Sequence, residues 1–159
     1  MQSPLDTVGS FYVFLEAIDY DVNEESLEIE VSCAKLANEV YRAKSKSGDE
    51  TEDIIEKVLD GSREIITDEN SPRYRICFEH VFYHQVCEEF DYDMSKEKCD
   101  DNGVVGIIEE SSLLSHLKSD TEVFWHCDKA KMYVVATSSK WLRIVSSEPP
   151  VIRLVAGVT

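Results

Sequence analysis

Histidine and cysteine are the residue types here best suited to metal binding or nucleophilic catalysis, and the chain holds four and five of them. His80 and His84 fall on one face of a strand-like segment, but residues four apart on an extended strand are separated by roughly 13 Å. They cannot share a metal ion unless the segment bends, and His126 and Cys127 could join them only through the fold. The sequence lacks the CxxC pair of zinc deaminases and the HExxH motif of metalloproteases. It therefore predicts no metal site and no cofactor.

The cysteines are odd in number and form no CxxC pair; they are Cys33, Cys77, Cys87, Cys99 and Cys127. This pattern indicates mainly reduced thiols and a cytoplasmic protein. A cysteine hydrolase would need a histidine and an orienting group beside the thiol. The sequence contains no GxSxG, P-loop or GxGxxG motif. We predict a protein that is not an enzyme; the enzyme alternative requires a concave pocket with convergent polar groups.

Acidic residues are numerous and unevenly distributed. The chain holds 32 acidic and 16 basic residues, for a net charge of -16. Residues 16–30 contain seven acids and no base, residues 49–69 nine acids and two bases, and residues 79–101 eight acids and two bases. From residue 129 onward five bases stand against Glu148 alone. This charge argues against nucleic-acid binding through a basic face and favours a basic protein partner, although folding could bring the basic tail among the acids.

Tyrosines among carboxylates mark residues 83–101 as the predicted contact surface. An aromatic centre with a charged rim is typical of protein interfaces. The predicted partner-binding residues are Tyr83, Glu88, Glu89, Asp91, Tyr92, Asp93, Asp100 and Asp101.

This surface requires a strand before it and a hairpin after it. Residues 73–87 alternate over a length that allows a bend, with Tyr74, Ile76, Phe78, His80, Phe82, His84 and Val86 on one face. Asn102 and Gly103 predict a hairpin turn, and residues 104–108 a returning strand that pairs with residues 82–90. Further strands are predicted at residues 11–15, 132–137 and 151–155, and a short turn is predicted to carry Trp141, Leu142 and Val145.

Helical spacing predicts the remaining elements. Residues 26–46 show one apolar stripe of Ile29, Cys33, Leu36, Ala37 and Val40. A second helix follows Thr51, ends at Gly61, and has a predicted buried face of Ile54, Ile55, Val58 and Leu59. A short serine-capped helix is predicted at residues 111–117. We expect a single α+β domain over residues 1–159, mainly an antiparallel sheet with two helices from the N-terminal half packed on one face.

Two segments resemble a group of small, uncharacterised bacterial proteins. They are the strand motif YRICFEHVFYHQV at residues 74–86, with CEEF at residues 87–90, and the tail VSSEPPVI at residues 145–152. Many members of that group are similar in size and acidity to immunity proteins of bacterial toxin systems. The resemblance implies a compact α+β fold and no known activity, and it adds weight to a binding function.

These features favour an immunity protein that neutralises a basic toxin or nuclease by occluding its active site. The alternatives are a phage-type counter-defence protein that mimics nucleic acid, a small cysteine or histidine enzyme, and a non-catalytic adaptor. The expected partner is a basic toxin, nuclease or defence protein, with no direct nucleic-acid or membrane contact, and the oligomeric state is open. Residues 1–6 lack the features of a secretory signal, and no apolar stretch is long enough for a membrane helix.

Overall fold

Antiparallel β-strands form most of this fold. The computed structural model describes residues 12–43, 50–88, 97–99, 103–125 and 127–156. Of the described residues, 54% lie in strands and 14% are helical. The expectation of an α+β fold with two helices from the N-terminal half on one sheet face is therefore wrong. The strands are β1 Val13–Asp21, β2 Ser26–Cys33, β3 Lys35–Val40, β4 Arg63–Ile66, β5 Arg73–Phe78, β6 Val81–Glu88, β7 Lys98–Cys99, β8 Val105–Glu110, β9 Lys131–Ala136, β10 Lys140–Ser146 and β11 Val151–Ala156. The helices are α1 Glu50–Leu59 and α2 Ser112–Asp120.

Two of the three sheets pack face to face around one apolar core. Strands β1-β2-β5-β11 form a four-stranded sheet, β6-β10-β9-β8-β7 form a five-stranded sheet, and β3 and β4 form a pair of their own. Fully buried Ile29 and Ile76 from the first sheet share a cluster with Val135 and Ile144 from the second. Each such side chain contributes about 1.5–3 kcal/mol by leaving water. The sandwich between the two sheets is therefore the main source of stability.

Strands β2 and β3 occupy residues 26–40 of the segment predicted as a helix over residues 26–46, and residues 44–46 lie outside the described residues. In β2, Leu27, Ile29 and Val31 alternate with polar residues, and all three are buried. Residues four apart, such as Ile29 and Cys33, share a face in a strand as well as in a helix. The predicted helical stripe therefore joined residues of two consecutive strands, and the alternation within β2 was the correct pattern.

Strands β1 and β2 form an antiparallel β-hairpin. Strand β1 continues to Asp21, and a turn with Glu25 at a φ of 51° leads into β2. Asp21 Oδ1 accepts the backbone N–H of Asn23 at 2.8 Å, the kind of local bond that stabilises a turn. The acidic residues of this segment therefore lie on a paired hairpin.

Helix α1 confirms the second predicted helix, although it begins at Glu50 and therefore includes Thr51, which was expected to precede it. The prediction that its apolar face is buried is wrong. Ile54, Ile55, Val58 and Leu59 are 63%, 52%, 74% and 40% exposed. Gly61, at a φ of 84°, follows the helix as predicted, because a left-handed residue closes a helix end without strain in glycine.

The long strand predicted over residues 73–87 bends and serves both large sheets. Its first half is β5 in the four-stranded sheet and its second half is β6 in the five-stranded sheet. At the bend His80 has a φ of 53°. The bend shifts the alternation, so that Phe78 and Val81 both join the core. Phe82, predicted on the same face as Phe78, is consequently 38% exposed.

The five-stranded sheet has a different pairing from the predicted one. Strand β8 pairs with β7 and β9 and not with β6, which is the described part of the predicted partner segment 82–90 and pairs with β10. Strand β10 contains Trp141, Leu142 and Val145, which were expected in a short turn. The predicted strands at residues 132–137 and 151–155 are confirmed by β9 and β11.

Helix α2 confirms the predicted serine-capped helix and packs on the outer face of the five-stranded sheet. Ser111 Oγ accepts the backbone N–H of Leu114 at 2.9 Å. Leu114 and Leu117 are buried in a second apolar cluster with Ile108 and Met132 of the sheet. The five-stranded sheet is thus covered on both faces, by the first sheet and by α2.

Candidate functional site

The predicted contact surface is only partly within the described residues. Tyr83 and Glu88 belong to β6. The other six predicted contact residues lie outside the described residues: Glu89, Asp91, Tyr92, Asp93, Asp100 and Asp101.

Tyr83 lies half-buried on the outer face of the five-stranded sheet. It is opposite Val145 of β10 and packs at the edge of the apolar cluster that includes α2. Burial raises the pKa of Tyr83, while the nearby positive charge of Arg143 opposes the rise. Tyr83 is therefore a neutral, partly accessible side chain, as an interface residue would be.

Basic residues of the C-terminal tail pair with acids of the predicted contact surface. Glu88 forms an ion pair with Lys140, its partner across the strands. Arg143 Nη2 lies 3.0 Å from Glu97 Oε1, and these two side chains are only 16% and 5% exposed. Removing either partner of so buried an ion pair would destabilise the fold, because the remaining charge would be buried without compensation. The fold thus brings the basic tail among the acids, which partly neutralises this surface.

The histidines do not assemble into a metal site within the described part of the chain. The bend that could have brought His80 toward His84 is present, yet no group of three or more His, Cys, Asp and Glu side chains there could hold a metal ion. The His84 ring contacts the Tyr20 ring, with 4.6 Å between centroids. His116 Nδ1 lies 2.7 Å from Asp120 Oδ2 on α2. His126 lies outside the described residues.

All five cysteines are free thiols. Burial raises the pKa of Cys33. Burial, followed by the Glu28 carboxylate 3.7 Å from its Sγ, raises the pKa of Cys77. A nucleophilic cysteine needs the opposite shift, because the thiolate is the reactive form. These two thiols therefore suit a structural role.

A polar cleft of about 610 Å³ lies beside the start of α2 and bears on the enzyme alternative. Lys98 in this cleft contacts Glu109 at 2.8 Å and Glu110 at 3.6 Å. The hydrogen bond with Glu109, and then the charges of both carboxylates, raise the pKa of Lys98. The lysine is therefore held as a cation in an ion-pair network.

The hairpin of β1 and β2 carries the most one-sided charge in the described structure. Its residues 16–30 contain seven acids and no base. The two acids nearest the sheet centre, Glu28 and Glu30, are half-buried and form ion pairs with Arg75 at 2.9 and 3.5 Å. The other five are exposed: Glu16, Asp19, Asp21, Glu24 and Glu25. The strand β1 side of this hairpin is therefore a negative surface.

Helix α1 directs its polar face toward the chain that flanks it and its apolar face toward solvent. Tyr41 donates a 2.7 Å hydrogen bond to Glu56 Oε1, and Asp60 Oδ1 accepts the backbone N–H of Ala43 at 3.0 Å. Residues one turn apart share a helix face, so Glu56 and Asp60 define the held side. Ile54 and Val58 lie on the opposite, exposed side.

Sequence reasoning missed this outward apolar face. The spacing of Ile54, Ile55, Val58 and Leu59 correctly indicates an amphipathic helix, but spacing does not say which surface receives it. Glu56 and Asp60 were one available indication, because carboxylates four apart can bond the preceding chain.

No known protein family, no curated protein and no solved structure matches this chain. Among the described residues, no helix combines the length and the apolar character needed to cross a membrane.

Proposed function

We propose that this protein is an acidic inhibitor that binds a basic toxin or nuclease and neutralises it by covering its active site. The observation that carries the proposal is the hairpin of β1 and β2, where five exposed carboxylates lie in a segment without a base. A concentrated charge of one sign accelerates encounter with a partner of the opposite sign and disfavours other partners. The protein acts by binding, without catalysis of its own.

The tyrosine and acid surface of residues 83–101 belongs to the same proposal. Tyr83 supports it, because a neutral and partly buried aromatic side chain suits an interface centre. Because Lys140 neutralises the charge of Glu88, the hairpin is the more suitable source of long-range attraction. The five free thiols support a reducing compartment, and we propose the cytoplasm.

Mimicry of nucleic acid is less favoured by the same region. A mimic needs an uninterrupted row of carboxylates that stands in for phosphates. Glu28 and Glu30 begin such a row on β2, but Arg75 pairs with both. A mixed surface of this kind suits a basic protein partner better than a groove built for nucleic acid.

Affinity capture with a salt gradient tests the proposal. The protein is immobilised, exposed to lysate of its source cells, and eluted with rising salt into a mass spectrometer. We expect one basic protein to elute at moderate salt and to lose its toxic or nuclease activity when the protein is added back. Because the attraction is electrostatic, neutralising the hairpin in the variant Asp19→Asn, Asp21→Asn, Glu24→Gln should move elution to lower salt.

A control variant removes the same three charges from dispersed exposed positions: Glu69→Gln, Asp128→Asn and Glu148→Gln. Elution of the partner from this variant should stay close to that from the unmodified protein. Equal shifts for both variants would mean that total charge, and not the hairpin, attracts the partner. Retention independent of salt, or a captured protein whose activity is unchanged, would contradict the inhibitor proposal.

A further inference from the structure

We propose that the outward apolar face of α1 is the docking surface for the basic partner, receiving a surface that is apolar at its centre and edged by lysine or arginine. This inference rests on the proposed function, and it places the anchoring contact on a different element from the acidic hairpin. The face is formed by Ile54, Ile55, Val58 and Leu59.

The orientation of α1 is set by polar contacts on its other side. Tyr41 and Ala43, at the end of the chain that leads from β3, bond to Glu56 and Asp60 of the helix and its last turn. After the helix, the N–H of Gly61 donates to the Tyr41 carbonyl at 3.0 Å. These contacts hold the carboxylate side inward. Turning the apolar face inward would break the side-chain bonds of Glu56 and Asp60.

The exposed apolar face runs along the second half of α1. Val58 and Ile54 are 74% and 63% exposed, and Ile55 and Leu59 extend the same side. None of the described residues buries these four side chains. Single exposed apolar residues are ordinary, but contiguous apolar patches with a polar rim mark interaction sites.

Charge identifies the partner. The helix and its last turn, residues 50–60, carry five acidic residues and Lys57 as the one base. A second copy of the chain would bring together two molecules of net charge -16, and high net charge of one sign keeps proteins monomeric. A basic partner instead gains attraction from the acids while its apolar centre covers the exposed face.

The hairpin and α1 then have different roles. Charged surfaces act mainly on the association rate, whereas apolar anchors act mainly on the dissociation rate. The β1 and β2 hairpin attracts the partner, and α1 retains it. Substitutions in the two regions should therefore differ in which rate they change.

Two synthetic helical peptides test the docking surface by calorimetry at low salt. One has leucines along one face and lysines elsewhere, and the other has the same number of lysines with serine in place of leucine. The variant Ile54→Ser, Val58→Ser keeps similar helix propensity, and circular dichroism checks that α1 remains. We expect this variant to bind the leucine–lysine peptide about tenfold or more weakly than the unmodified protein, and the serine–lysine peptide equally well.

A matched control replaces two exposed apolar residues outside both α1 and the hairpin, Trp125→Ser and Leu154→Ser, which are 66% and 53% exposed. This control should bind both peptides as the unmodified protein does. Equal binding of the leucine–lysine peptide to all three proteins would overturn the docking surface and leave the electrostatic inhibitor proposal standing. If neither the unmodified protein nor either variant binds the serine–lysine peptide, the result would instead count against the proposed function. If sedimentation shows a dimer that the variant Ile54→Ser, Val58→Ser abolishes, the occupant of this face is a second copy of the chain and the proposal of a basic partner is wrong.

Discussion

The two helices of this protein are both amphipathic, yet they use their apolar faces in opposite ways. Helix α2 buries Leu114 and Leu117, each 4% exposed, against the five-stranded sheet. Helix α1 holds its carboxylates against the preceding chain and leaves Val58 74% exposed. An apolar stripe therefore shows that a helix has a face to cover, but the rest of the fold decides whether that face stabilises the protein or is left for a partner.

The largest expected difference is in stability. Leu117→Ala should lower the free energy of unfolding by about 2–5 kcal/mol, because it leaves a cavity in a packed cluster. Val58→Ala should change it by no more than about 0.5 kcal/mol, because the side chain already faces solvent. Urea unfolding of both variants measures the contrast. A similar loss for both would mean that the face of α1 is covered in the folded protein.

A medium effect is expected at the start of α2. Ser111→Ala removes the side-chain acceptor of the Leu114 N–H and should cost about 1 kcal/mol. Ser112, the first residue of the helix, is exposed, and Ser112→Ala serves as the control with a smaller loss. Thermal unfolding of the two variants compares them directly. Equal losses would show that the serine cap does not stabilise α2.

The smallest expected effects are of opposite sign with pH. Hydrogen bonds from His116 and then Ser119 lower the pKa of Asp120 on α2, so this contribution exists above the ordinary aspartate pKa of 3.8 and is lost as pH falls below it. The hydrogen bond to Glu56 raises the pKa of Tyr41 beside α1. That contribution exists below the ordinary tyrosine pKa of 10.0 and is lost as pH rises through the raised value.

Stability measured against pH distinguishes these two contacts. Asp120→Asn should flatten the dependence only in acid, and Tyr41→Phe only in alkali. Both effects should be small, since exposed polar pairs are weakened by solvent. An alkaline change with Asp120→Asn, or an acid change with Tyr41→Phe, would contradict these assignments.

Local sequence patterns correctly predicted the features that depend on strong preferences of single residues. Gly61 and the serine before α2 were identified because left-handed backbone and helix capping have strong residue preferences. The bend near His80 was foreseen only as a possibility, from the length of the segment. The helix predicted over residues 26–46 failed because the four-residue spacing of Ile29 and Cys33 fits both a helix and a strand.

Pairing between distant segments was beyond local reasoning. Strand β6 pairs with β10 and not with β8, the predicted partner. This pairing follows from the way the two sheets share one core, and no local turn sequence indicates it. Glu97, which precedes β7, and Arg143 of β10 also meet only through the complete fold, because they are distant in the sequence. The tyrosine and acid composition of residues 83–101 identified a charged surface, but the composition of one segment could not show that bases from the tail would pair with it.

The edge position of β11 in the four-stranded sheet has a consequence for synthesis on the ribosome. Strand β5 pairs on one side with β2, which precedes it, but its other neighbour β11 is made about 70 residues later. At roughly 5–20 residues per second, the nascent chain exposes one edge of β5 for several seconds. An open strand edge is a template for pairing with other chains. Chains released before β11 is made would therefore keep that edge open and be prone to aggregate, and rapid synthesis of the second half of the protein would limit the time at risk.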